Sequence, residues 1–130
     1  MPTEKKHQAN RERAALPSLW YEAMLARQLE QEKLRLSLLQ KISNALKILG
    51  KKYHWDETYL FGSVSQEGKF RRNSDIDIAI SGLNGFEHYA FTGEISELLD
   101  TLVDVVILEE CPFAESIKKK GLKWNPKSGF

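Results

Sequence analysis

Apolar residues recur with a helical period over the stretch before Gly50. Leu38, Leu39, Ile42, Ala45, Leu46 and Leu49 fall on one side of a helix. Neither Gly nor Pro interrupts the chain between Ser18 and Leu49. Pro17 and Ser18 supply a start signal, because a proline loses nothing in the first turn, and Gly50 with Lys51 and Lys52 supplies a stop. The pattern predicts one helix of about 30 residues, about 45 Å long at 1.5 Å per residue. Its second half has a face for a core. In its first half, Trp20, Met24, Leu25, Leu29, Leu34 and Leu36 carry apolar surface past what a small domain can cover. Either the helix lies across the core, or this half docks on a partner, and the length favours the partner.

After residue 50 the period changes to two. "ETYLF" (residues 57–61) reads as a short strand ending at Gly62-Ser63, and "SDIDIAIS" (74–81) as an isoleucine-rich strand. Gly82 and Gly85 break the chain before a helix marked by Ile95, Leu98, Leu99 and Leu102. "VDVVIL" (103–108) is a third strand, and "FAESIKKKG" after Pro112 is a short closing helix. The reading is an α+β chain in three parts: a flexible or loosely helical segment 1–16, a long helix 17–50, and a domain 51–130. No internal repeat or low-complexity tract is present.

Two aspartates break the period-two strand. Asp75, Asp77 and Ala79 share one face and Ile76, Ile78 and Ile80 the other, which sets the carboxylates about 7 Å apart along the strand. Two such groups repel and raise each other's pKa unless a cation lies between them. A lone D-x-D is more often an exposed edge. Here a Gly-Ser turn and a basic loop precede it, and Asp104 interrupts the third strand in the same way. If that strand lies beside the second, three carboxylates converge, a set that can hold two Mg²⁺ ions for in-line displacement at phosphorus. Gly62 permits close backbone approach, Ser63 offers a hydroxyl to a phosphate, and the amides after it could open a phosphate-binding helix. Lys69, Arg71 and Arg72 either meet a triphosphate or stay solvated.

Composition narrows the field. The chain has 130 residues, 42% hydrophobic and 28% charged, with net charge +1. No bulk field therefore points to a nucleic-acid or membrane partner, and the lysines at 118, 119, 120, 123 and 127 read as a solvated end. Cys111 is the one cysteine, so no internal disulfide forms and a reducing cytoplasm is the expected setting. It reads as a small packed residue. His7, His54 and His88 lack the paired spacing of a zinc site.

Gly62-Ser63, a loop, "SDIDIAI" and a later "VDVVIL" resemble the minimal nucleotidyltransferases of the DNA polymerase beta superfamily. The likeness covers residues 58–122, about half the chain, and leaves the long helix outside. Eleven residues separate Ser63 from Asp75, one more than the family pattern, and "GSVSQEG" replaces its usual Ala-Arg-Gly run. The resemblance implies a nucleotidyltransferase fold, a small mixed sheet of three core strands with flanking helices. It implies Asp75, Asp77 and Asp104 as catalytic ligands of two Mg²⁺ ions, and Gly62 and Ser63 as the grip on ATP or another nucleoside triphosphate. The implied reaction moves a nucleoside monophosphate to a hydroxyl and releases pyrophosphate. Minimal members often occur beside a helical HEPN protein, and in such pairs the enzyme is the antitoxin, in some cases adenylylating a toxin tyrosine. A non-catalytic antitoxin acting through its long helix, and an enzyme modifying a small antibiotic, stay open beside this reading. Homo-oligomerisation stays open too.

Overall fold

The computed structural model describes residues 2–130, with side chains from Ser18 onward. His7 and the expected flexible segment 1–16 therefore lie outside the described side chains. The long helix α1 spans Pro2–Leu49, so it begins well before the start expected at Pro17. The residues ahead of Pro17 hold no glycine and are rich in Lys, Glu, Gln, Arg and Ala, which all sustain a helix. Their summed propensity outweighs the proline as a marker of the first turn.

Three of the strands follow the period-two reading. β1 is Glu57–Phe61, β2 is Ile76–Ser81 and β3 is Val103–Ile107. Helix α2 (His88–Leu99) joins β2 to β3, and α3 (Ala114–Lys120) ends at Gly121. Leu102 falls outside α2 and is exposed. A fourth strand, β4 (Leu122–Lys123), pairs with β1, so the sheet has four strands in the order β3-β2-β1-β4. β1 runs antiparallel to both β2 and β4, whereas β2 and β3 are parallel. The parallel pair needs a crossover, and α2 provides it.

The two faces of the sheet differ. One carries Leu60, Ile76, Ile78, Ile80, Val103, Val105 and Ile107, all buried against α1 and α2 through Ile42, Leu46, Leu49, Phe91 and Ile95. The other is only partly covered. There α3 and the turn before it pack Leu108, Ile117, Cys111 and Ala114 on Tyr59, Ala79, Phe61 and Val106. Cys111 is thus a partly buried packing residue, as its sequence context indicated. His54 is exposed, and His88 lies against β3 with its Nε2 2.6 Å from the Val105 carbonyl oxygen.

Among the described side chains of α1, those that meet this body lie in its second half. Trp20 is 80% exposed, and Met24, Leu25, Leu29, Leu34 and Leu36 are all exposed as well. These apolar groups stand clear of the core, as the overshoot of the helical stripe suggested. Among the described residues no helix is long and apolar enough to cross a membrane.

Candidate active site

The parallel register sets Asp77 directly opposite Asp104. Their neighbours Ile76, Ile78, Val103 and Val105 point into the helix-covered core, so period-two alternation turns both aspartates to the other face. Neighbouring strands lie about 4.8 Å apart, which makes the two carboxylates close neighbours. Asp75 sits one residue before β2 on the same side as Asp77. Burial raises the Asp77 pKa above its ordinary value, and the charges of Asp104 and then Asp75 raise it further. The sheet therefore brings together all three carboxylates marked in the sequence. Asp77 is half-buried, while Asp75 and Asp104 are exposed.

Gly62 fits under this cluster. Its backbone adopts φ 74°, ψ −159°, a region that only glycine enters freely. A Cβ there would lie 2.6 Å from Asp77 Oδ2. The Asp77 carboxylate thus occupies the space that any side chain at 62 would need. The residues after Gly62 do not open a phosphate-binding α-helix, contrary to expectation. They form a single 3-10 turn, Ser63–Ser65, closed by Ser65 N–H to Gly62 O and Gln66 N–H to Ser63 O. Ser65 Oγ also donates to Gly62 O, at 2.7 Å. These bonds use the N–H groups of Ser65 and Gln66 and leave those of Ser63 and Val64 outside the turn's own pairing. Ser63 itself is half-buried beside them.

Helix α1 holds the turn in place. Arg35 is 8% exposed, and its Nη1 donates to the Val64 carbonyl at 3.2 Å. Its Nε and Nη2 grip the Glu32 carboxylate, at 3.0 Å to Oε2 and 2.8 Å to Oε1 respectively. This pairing holds Glu32 below the ordinary carboxylate pKa and raises that of Arg35. Val64 is fully buried, so the turn is fixed from both sides of its backbone. Arg71 does similar work for the loop. Its Nη1 lies 3.1 Å from Gly68 O, 3.0 Å from Phe70 O and 3.2 Å from Gln31 Oε1 of α1. Arg71 is therefore a loop brace, and Lys69 and Arg72 are left exposed. The sequence reading missed Arg35 and Gln31. The available signal was a charged residue with an acid three positions earlier, set in the stripe that faces the core.

Divalent metal chemistry suits this donor set in three respects. All the donors are hard oxygens. None of the three carboxylates accepts a hydrogen bond or an ion pair among the described side chains. Burial first, and then the charges of Asp104 and Asp75, hold the Asp77 pKa up, and a cation bound beside it would offset both. No group of three such side chains among the described residues stands in position to hold an ion unaided.

The sequence matches the family described as "Polymerase beta, Nucleotidyltransferase" over residues 40–123. The chain belongs to that family. Solved structures are similar to the chain as well. One, described as a toxin–antitoxin with AMP-PNP, is 31% identical with a TM-score of 0.53, over 62% of this chain and 70% of that one. A second, the toxin–antitoxin MntA-HpeT carrying aspartate-to-glutamate changes at two positions separated by a single residue, is 26% identical with a TM-score of 0.52, over 63% and 70%. A third, assigned as a minimal nucleotidyltransferase, is 22% identical with a TM-score of 0.52, over 71% and 93%, and shares the fold. No curated protein matches the chain.

Proposed function

We propose that this nucleotidyltransferase moves a nucleoside monophosphate, AMP from ATP, to a hydroxyl on a protein, and serves as the antitoxin of a HEPN toxin. The register of Asp77 against Asp104, with Gly62 beneath, carries the reading. Asp75, Asp77 and Asp104 would hold two Mg²⁺ ions, which neutralise charge on the phosphates and on the attacking oxygen. Gly62 and Ser63 would face the triphosphate, where the Ser63 hydroxyl, without a hydrogen-bond partner among the described residues, and the Ser63 and Val64 amides can donate to its oxygens. Arg35 keeps that turn in shape. The acceptor oxygen forms a bond to the α-phosphorus, and the bond from that phosphorus to the bridging oxygen of the β-phosphate breaks. Pyrophosphate leaves with that oxygen. The hydroxyl proton passes to the exposed carboxylate of Asp104.

Support for a protein acceptor comes from similarity to toxin–antitoxin structures, one solved with an ATP analogue and one altered at two aspartates spaced like Asp75 and Asp77. Incubation with radiolabelled ATP, Mg²⁺ and a candidate HEPN toxin should label the toxin. Labelling that persists in Asp75→Ala and Asp77→Ala sinks the proposed site. The exposed Trp20, Met24 and Leu25 favour a second reading, neutralisation by binding alone through α1. That reading requires the Asp75→Ala/Asp77→Ala protein to neutralise the toxin as well as the wild type does.

A further inference from the structure

A second cleft lies on the opposite face of the sheet and at the other end of β1. It has a volume of about 380 Å³ and is lined by the end of α1, the turn after it, the start of β1 and Trp124. Thr58 and Leu60 alternate with Tyr59 and Phe61, so Thr58 points to the helix-covered side, away from the carboxylates. Along β1 it is three residues, about 10 Å, from Phe61, which pairs with Asp77.

Three observations make this a built site. First, Thr58 lines the cleft and is 1% exposed, yet its hydroxyl has no hydrogen-bond partner among the described residues. A buried hydroxyl without a partner is costly, and a ligand atom in the cleft would satisfy it. Second, the apolar wall is aromatic. Trp55 and Trp124 lie 6.1 Å apart between ring centroids at 33°, and Tyr53 lines the wall beside them. The Trp124 indole is pinned by its Nε1–H, which donates to Ser43 Oγ at 3.0 Å. Third, Lys47 in the last turn of α1 and Lys51 in the turn after it stand at the rim, exposed and without an ion pair among the described residues. Asp56 also lines the cleft, with its carboxylate folded over Gly82, where an added Cβ would overlap it, so two lysines face one acid there.

We infer that the cleft binds a small aromatic anion, a planar ring carrying a carboxylate or a phosphate. The ring lies on the Trp55–Trp124 wall, the anionic group meets Lys47 and Lys51, and a polar ring atom reaches the Thr58 hydroxyl. The volume suits a ligand of that size. This site is independent of the transfer reaction proposed above.

The three tryptophans are Trp20, Trp55 and Trp124, so in a Trp20→Phe background both remaining indoles report on the cleft. Fluorescence titration of that full-length chain with pyridine-3-carboxylate and, separately, pyridin-3-yl phosphate, a pair matched in its ring nitrogen and free of indole emission, should give saturable quenching. The tighter probe identifies the anionic group. Thr58→Val should weaken binding about tenfold, the scale of one buried or charge-assisted hydrogen bond, with an apo unfolding temperature at or above that of the parent. Lys47→Glu/Lys51→Glu, which alters surface groups alone, should weaken binding at least as much. Absence of saturable quenching with both probes, or full affinity in either variant, overturns the assignment.

Discussion

Replacing Gly62 with alanine tests the geometry of the site in one step. The φ 74°, ψ −159° backbone of Gly62 is open to glycine and strained for alanine, at a cost of about 1–3 kcal/mol. The new Cβ would also meet Asp77 Oδ2 at 2.6 Å. Asp77 must then turn off its preferred rotamer, which adds about 0.5–1.5 kcal/mol. A domain of this size loses about 3–5 °C in unfolding temperature for each kcal/mol, so Gly62→Ala should be clearly destabilised in thermal and denaturant unfolding. Repeating the change in an Asp77→Ala background separates the two causes. Alanine at 77 removes the clash and leaves the backbone strain, so Gly62→Ala should cost about 0.5–1.5 kcal/mol less there. An equal cost in both backgrounds refutes the contact between Gly62 and Asp77. A total cost under about 0.5 kcal/mol, the range of neutral surface changes, refutes the glycine requirement as well.

Three further outcomes are expected. Because the Asp77 pKa is raised, chiefly by burial and then by Asp104 and Asp75, the folded protein binds this proton more tightly than the unfolded chain. Stability is therefore lost as pH rises from the ordinary value of 3.8 through the raised one. Without divalent cations, Asp77→Asn should unfold at a higher temperature than the wild type at neutral pH, with the gap closing near pH 3.8 and narrowing on adding Mg²⁺. Arg35→Met strands the Glu32 carboxylate and the Val64 carbonyl, and should cost about 1.5–3 kcal/mol in urea unfolding. Nucleotide affinity should fall further in Arg35→Met than in Arg35→Lys. Trp20→Glu/Leu25→Glu lies on exposed helix surface, so its unfolding temperature should match the wild type while calorimetric affinity for the protein partner falls at least tenfold.

How much of this was legible depended on the range of each signal. The alternation of Asp75 and Asp77 with isoleucines showed both the strand and its polar face, because a period of two is written in adjacent residues. Asp104 was marked as an interruption of an apolar run, but its pairing with Asp77 depends on the strand order, which sequence left conditional. β4 has two residues and hence no period to detect. The turn after Gly62 is 3-10 and not α-helical, and a glycine-serine pair does not distinguish the two, because it specifies a bend and leaves the next residues open. Arg35 and Gln31 act across 29 and 40 residues of chain, and no local pattern reports such a reach. Thr58 reads as an ordinary strand threonine, and only the surrounding packing reveals that its hydroxyl lacks a partner.

The pairing of β2 with β3 also bears on when the protein becomes competent during its synthesis. Asp75 and Asp77 leave the ribosome more than two dozen residues ahead of Asp104, with the whole of α2 between them. A nascent chain that has already formed the β1–β2 hairpin still lacks its third acid. On the mechanism proposed above, chemistry at phosphorus waits for the crossover helix to dock and the last parallel strand to seat, and a stalled or prematurely ended polypeptide would not run it.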